Sequence, residues 1–163
     1  MVNHVQKCTK IVDGLIKRNF PVLGEKKIVV LEFAYRKFTA SVFDFSFITL
    51  IFIDPKKIAA YSYNELKGLF AHELGHIERH SKRSFYEKFS FIIRYLFNTN
   101  VRIEEERETD NLAIRKGYAK NLYALVKRVE KMSTREHLRY MFSKGYLSSN
   151  KIKSYAKKIG KWR

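Results

Sequence analysis

Apolar positions near the start of the chain recur as Val5, Cys8, Val12, Leu15 and Ile16. This three-and-four spacing predicts a helix over the first 19 residues with one apolar face. Pro21 closes it, because proline lacks an N–H and fixes its own φ. The pattern then changes. Ile28–Ala34 and Phe38–Asp44 are dense in β-branched and aromatic residues, and Ile48–Ile53 (ITLIFI) follows, closed by Asp54-Pro55. All three predict strands. The run from Val42 to Ile53 is the most apolar in the chain. It falls well short of the roughly 20 residues that cross a bilayer.

Helical patterning takes over after Ala60. Ser62 followed by Glu65 forms a capping box that starts a helix near Tyr63. On that helix Tyr63, Leu66, Phe70, Leu74 and Ile77 share one face. Ser84–Phe97 is an aromatic-rich helical segment. A further helix begins near Asn100 and stops at Gly117, a residue suited to the C′ position. Leu122, Leu125, Val126 and Val129 mark another, and Asn150–Arg163 is helical by period. Strands early and helices late predict one α+β domain over residues 1–163, with about three strands and about five or six helices. Within it, 1–60 holds the first helix and the strands, 61–118 the motif helices, and 119–163 the C-terminal helices.

Charge adds a second theme. The chain has 33 Lys and Arg against 16 Asp and Glu, a formal net charge of +17. Such a field favours nucleic acid, anionic lipid or acidic peptides, although a solvated lysine-rich surface has the same composition. The single cysteine, Cys8, excludes an internal disulfide and a cysteine-rich zinc knuckle. The first twenty residues lack a secretory leader. Together these features point to a reducing, cytoplasmic setting, with a membrane-peripheral position left open.

The chemistry concentrates in FAHELGHIERH, Phe70–His80. His72 and His76 stand one helical turn apart, so both imidazoles can reach one metal ion, and Glu73, about 100° round, can reach a metal-bound water. Both histidines point away from the apolar face. Gly75 leaves room for another segment to approach them. The competing reading is a surface helix that happens to carry histidines.

A catalytic zinc needs a third protein ligand and an open position. A third histidine six residues beyond His76 would mark a metzincin, but that position is Lys82. His80 lies another turn along and reads as a surface residue or as support for a ligand. The stretch RIEEERETDNLAIRKG, Arg102–Gly117, offers more. With Glu106 at 0° on a helical wheel, Ile103, Asp110, Ala113, Ile114 and Gly117 share its side, while Glu104, Glu108, Asn111 and Arg115 oppose it. Carboxylates on a buried stripe need partners. A metal with its histidines would supply them, Glu106 as ligand and Asp110 holding a ligand histidine's other N–H. Ion pairing with lysines and arginines is the alternative, and Glu105 is the alternative ligand.

The paired motifs, HELGH and then ERETD, resemble the gluzincin metallopeptidases, most closely the small minigluzincins related to CaaX-prenyl endopeptidases. The likeness runs from Ile48 to Tyr118. Their H-E-x-x-H and E-x-x-x-D patterns fall on His72, Glu73, His76, Glu106 and Asp110, with Thr109 where the family usually has alanine. The resemblance implies a zincin-like fold, one zinc ion held by His72, His76 and Glu106, and hydrolysis of extended peptides with Glu73 as general base. It also implies that strand Ile48–Ile53 rims the cleft and pairs with substrate, and that a C-terminal segment can cover the cleft in a latent form. The family's later His-Pro and Arg element is missing. In REHLRY, His137 and Tyr140 are the candidates for oxyanion stabilisation.

The tail NKIKSYAKKIGKWR sets Ile152, Tyr155, Ala156, Ile159 and Trp162 against Lys153, Lys157, Lys158 and Lys161. This is the pattern of a helix on an anionic membrane or nucleic acid, or of one packed on its own domain. With Phe85–Phe97 it supports an alternative function, a non-catalytic basic binding protein.

Overall fold

The computed structural model describes residues 3–34, 39–45 and 47–162. Helix α1 (His4–Asn19) is capped by the Asn3 side chain and buries Cys8, Ile11, Val12 and Leu15. Pro21 opens a 3₁₀ turn, Pro21–Leu23, and strand β1 (Ile28–Glu32) follows. Strands β2 (Ala40–Asp44) and β3 (Thr49–Ile53) complete a three-stranded mixed sheet in the order β1-β3-β2. Phe38, the expected first residue of the second strand, lies outside the described residues.

β3 runs parallel to β1, with Ile28 opposite Thr49, and antiparallel to β2, with Ala40 opposite Ile53. Its pleat buries Thr49, Ile51 and Ile53 towards the helices and turns Leu50 and Phe52 outwards. Because β3 is the central strand, its backbone groups are already engaged on both sides. The expectation that Ile48–Ile53 pairs with substrate is therefore corrected, and the free antiparallel edge belongs to β2.

Asp54 does more than close β3. Its carboxylate accepts from the Lys56 and Lys57 N–H groups and caps the short helix α2 (Pro55–Ile58). Helix α3 (Tyr63–His80) begins with the complete Ser62/Glu65 capping box. It runs through the middle of the domain between α1, the sheet and the later helices, so it is buried on more than one side. Leu66, Phe70, Leu74 and Ile77 are fully buried. Tyr63, expected on that face, is 54% exposed in the first turn, with the Lys67 ammonium over its ring.

Helix α4 (Phe85–Phe97) has its own capping box from Ser84 and Glu87. Helix α5 (Thr99–Ala113) leads through a π turn, Ile114–Tyr118, into α6 (Ala119–Met132). Gly117 takes φ 96° at this junction, a conformation that side chains with a Cβ disfavour. Two close approaches set the helix packing. A Cβ at Gly68 would lie 2.5 Å from the Asn121 carbonyl oxygen, so α3 and α6 touch backbone to backbone there. A Cβ at Gly75 would lie 3.0 Å from Thr109 Cγ2, so the space foreseen at Gly75 is filled by α5.

Helix α7 (Arg135–Ser143) buries no residue, whereas α8 (Ser149–Lys158) packs on α6 with Ile152 and Ala156 fully buried. Tyr155, Ile159 and Trp162 also lie against the core. The apolar stripe of the tail is thus used within the domain. Among the described residues, no helix is long and apolar enough to cross a membrane.

Candidate metal centre

α3 and α5 pack side by side at Gly75 and Thr109, which brings the histidines of one helix against the carboxylates of the other. His72 Nε2 lies 3.2 Å from His76 Nε2 and 3.3 Å from Glu106 Oε2, and His76 Nε2 lies 3.6 Å from the same oxygen. Zinc–ligand bonds of about 2.0–2.1 Å in tetrahedral geometry place neighbouring donor atoms about 3.3–3.4 Å apart. The three atoms therefore already form one face of a metal-sized tetrahedron.

The far side of each ring is held by an acid. His72 Nδ1 is 2.8 Å from Asp110 Oδ1, and His76 Nδ1 is 3.2 Å from Glu105 Oε1 and from Thr109 Oγ1. An ionised carboxylate can only accept, so each Nδ1 carries a hydrogen, and in the neutral ring each Nε2 turns a bare lone pair to the centre. Glu106 is fixed in the same way. Tyr95 of α4 donates its hydroxyl hydrogen to Oε1, leaving Oε2 buried with no hydrogen-bond partner and aimed at both Nε2 atoms. With both rings neutral, these three electron-rich atoms have no donor between them, and either a proton on a ring or a metal ion balances them. His72, His76 and Glu106 could hold a divalent metal ion.

Charge points the same way. Glu73, Glu105, Glu106 and Asp110 are all buried, and Arg79 is the only arginine or lysine bonded to any of them among the described residues. Burial alone would lower the basicity of His72, but the Asp110 and Glu106 carboxylates outweigh it and hold its pKa well above the ordinary imidazole value. His76, likewise opposed by burial, is raised to about 9 by Glu105 and Glu106. Burial would raise the Glu106 pKa, but the two histidines hold it far below the carboxylate range. Glu73 behaves differently. Its burial outweighs the pull of His72 and His76, and its pKa is raised.

Glu105 deserves separate placement, because with His76 and His80 it forms a second histidine–carboxylate group. Both its oxygens accept from Arg79, and Oε1 also lies 2.8 Å from His80 Nε2. A guanidinium already occupies the position a cation would need, and His76 Nδ1 carries a hydrogen. The geometry makes Glu105 the support of His76 and not a ligand on its open side. His80 is buried beneath Phe91 and bonded to Glu105, so it is not a surface residue.

His137 and Tyr140 are not brought to the centre. Both are exposed on α7, where His137 N–H bonds the Thr134 cap and Tyr140 sits under Lys144. Their assignment to the oxyanion is corrected for that reason. Two other tyrosines flank the site. Tyr95 binds Glu106, and the Tyr146 ring lies 5.8 Å from that of His72. Burial, and next the Glu106 charge, raise the Tyr146 pKa well above the ordinary phenol value. Tyr146 sits in a short strap between α7 and α8. Gly145, at φ 105°, packs so tightly on α5 that a Cβ would lie 2.7 Å from Ile103 Cα, and Leu147 N–H donates to Asp110 Oδ2 at 2.9 Å. Tyr95 had a weak sequence signal, its place one turn beyond Phe91 on the narrow side of an aromatic helix. Tyr146 lies in an aperiodic loop and had none.

Comparisons of the chain with protein-family models, with curated proteins and with solved structures find no match.

Proposed function

We propose that the chain is a zinc-dependent metalloendopeptidase of the gluzincin class, with a zincin-like fold of the minigluzincin type. The observation that supports it is the triangle of His72 Nε2, His76 Nε2 and Glu106 Oε2, with Glu73 next to His72 on the same helix. Two imidazoles and one carboxylate with an open fourth position are the donor set of catalytic zinc. A zinc ion held there would supply Lewis acidity for a peptide carbonyl and would lower the pKa of a bound water towards 7.

The protein's own groups do the rest. Asp110 and Glu105 orient the two rings, and Tyr95 holds Glu106 so that one oxygen faces the centre. Glu73, whose pKa burial raises, accepts the water proton on its carboxylate and returns it to the departing amine. The free edge of β2 accepts an extended peptide by backbone pairing. Latency through the C-terminal segment narrows to the strap around Tyr146, since α8 itself is part of the core.

The test compares wild type with Glu73→Gln for metal content and for cleavage of an unfolded protein substrate followed by mass spectrometry. The expected result is equal zinc and lost cleavage in the variant. Wild type without zinc after zinc loading, or undiminished hydrolysis by Glu73→Gln, overturns the reading.

A further inference from the structure

Helix α4 is amphipathic in the reverse sense for a soluble domain. Its inward stripe is Lys88, Phe91 and Tyr95, and two of these bind acids: Lys88 pairs with Asp44 at 2.7 Å, and Tyr95 bonds Glu106. Its outward arc is Phe85, Phe89, Ile92, Ile93, Leu96 and Phe97, each between 44% and 85% exposed. At 100° per residue this arc is about 140° wide. It contains no acidic residue. Glu87, the helix's single acid, lies on the far side and caps Ser84.

A second apolar element stands beside it. The connection from β2 to β3 carries Phe45 and Phe47, 43% and 82% exposed, with rings stacked at 6.5 Å. The Lys88–Asp44 ion pair fixes α4 to the start of this connection. Phe43 and Phe45 continue the surface into an apolar groove of about 500 Å³ on the outer face of the sheet. Soluble monomers rarely expose contiguous apolar surface on this scale without using it.

We infer that this face docks on an anionic phospholipid bilayer, with α4 lying in the interface and Phe45 and Phe47 inserted beside it. A wide apolar arc rich in aromatics, flanked by cations, is what an interfacial helix presents to lipid. Lys82 and Arg83 stand at the start of α4 and Arg94 on its flank. The occupant follows from charge. A second copy would bring +17 against +17, whereas an anionic leaflet attracts that field and solvates the arc. The C-terminal helix does not serve this role, because its apolar stripe is buried on α6.

The experiment is co-sedimentation with phosphatidylcholine vesicles, with and without phosphatidylserine, for the full chain and for Phe89→Ser/Ile93→Ser/Leu96→Ser. These side chains face away from the domain, so circular dichroism melting stays unchanged in the variant. The expected result is binding to the phosphatidylserine vesicles that drops roughly a hundredfold in the variant. Overturning results are absence of wild-type binding, or equal partitioning of the folded variant, which leaves only diffuse charge attraction. Ultracentrifugation showing a wild-type dimer that the substitutions dissociate assigns the face to a second copy instead. If the triple variant fails to fold, Phe47→Ser alone is read by the same partitioning and decides in the same sense.

Discussion

Asp110→Asn tests the candidate metal centre through a residue outside the proposed ligand set. The carboxylate is buried and accepts from two donors, His72 Nδ1–H on Oδ1 at 2.8 Å and Leu147 N–H on Oδ2 at 2.9 Å. Asparagine keeps the shape but offers one acceptor and one donor. With its oxygen on Leu147, its NH₂ faces Nδ1, and the ring must move its hydrogen to Nε2, where it blocks the metal-facing lone pair. With its oxygen on His72, the NH₂ faces the Leu147 N–H instead, a buried donor–donor contact costing about 1–3 kcal/mol. Either route weakens the site. Loss of such an orienting partner typically lowers metal affinity 10–100-fold, about 1.4–2.7 kcal/mol. The assay is zinc competition against a chromophoric chelator at neutral pH, with ¹⁵N shifts of His72 reporting its tautomer. A folded variant that binds zinc as tightly as wild type, with hydrogen still on Nδ1, refutes the reasoning.

Three further outcomes follow from the same contacts. In metal-free protein His76 is raised from 6.5 to about 9, so its contribution is fully present below pH 6.5 and is lost as pH rises through 9. The shift corresponds to roughly 3 kcal/mol, read as a falling melting temperature across that window, and a flat profile rejects it. Gly75→Ala sets a Cβ 3.0 Å from Thr109 Cγ2 and should cost about 1–3 kcal/mol in denaturant unfolding. Thr109→Ser, which removes that methyl and keeps the hydroxyl, should recover most of the loss. Tyr146→Ala should raise peptide turnover several-fold if the strap covers the cleft. Equal or lower turnover by a folded variant removes the covering role.

How far the sequence could be read depended on whether a residue's environment came from its own helix. His72 and His76 share a face because four residues make about one turn, and Glu106 and Asp110 do likewise. That these two faces meet is a tertiary fact, yet acids on the apolar stripe of one helix and histidines off the apolar face of another pointed to it. Glu105 was harder. It sits off the centre of the apolar stripe and is buried because Arg79, His76 and His80 reach it from α3. The strand order was similarly hidden, since ITLIFI reads the same whether it is central or at an edge. The structure makes it central, and the two edges fall to β1 and β2.

Helix α4 shows the limit most clearly. Hydrophobic periodicity says that a helix has an apolar side, and the usual inference is that this side faces the core. Here the narrow polar side faces inwards, because Asp44 needs Lys88 and Glu106 needs Tyr95. Both acids are largely enclosed, and an enclosed acid without a partner costs more than an exposed leucine or phenylalanine. The site's demand for donors therefore sets the rotation of α4 about its axis, and its apolar arc is left exposed. A substitution such as Tyr95→Phe should loosen both proposed roles together: Glu106 loses its hydroxyl anchor, and the helix loses one of the bonds that fix its outward face.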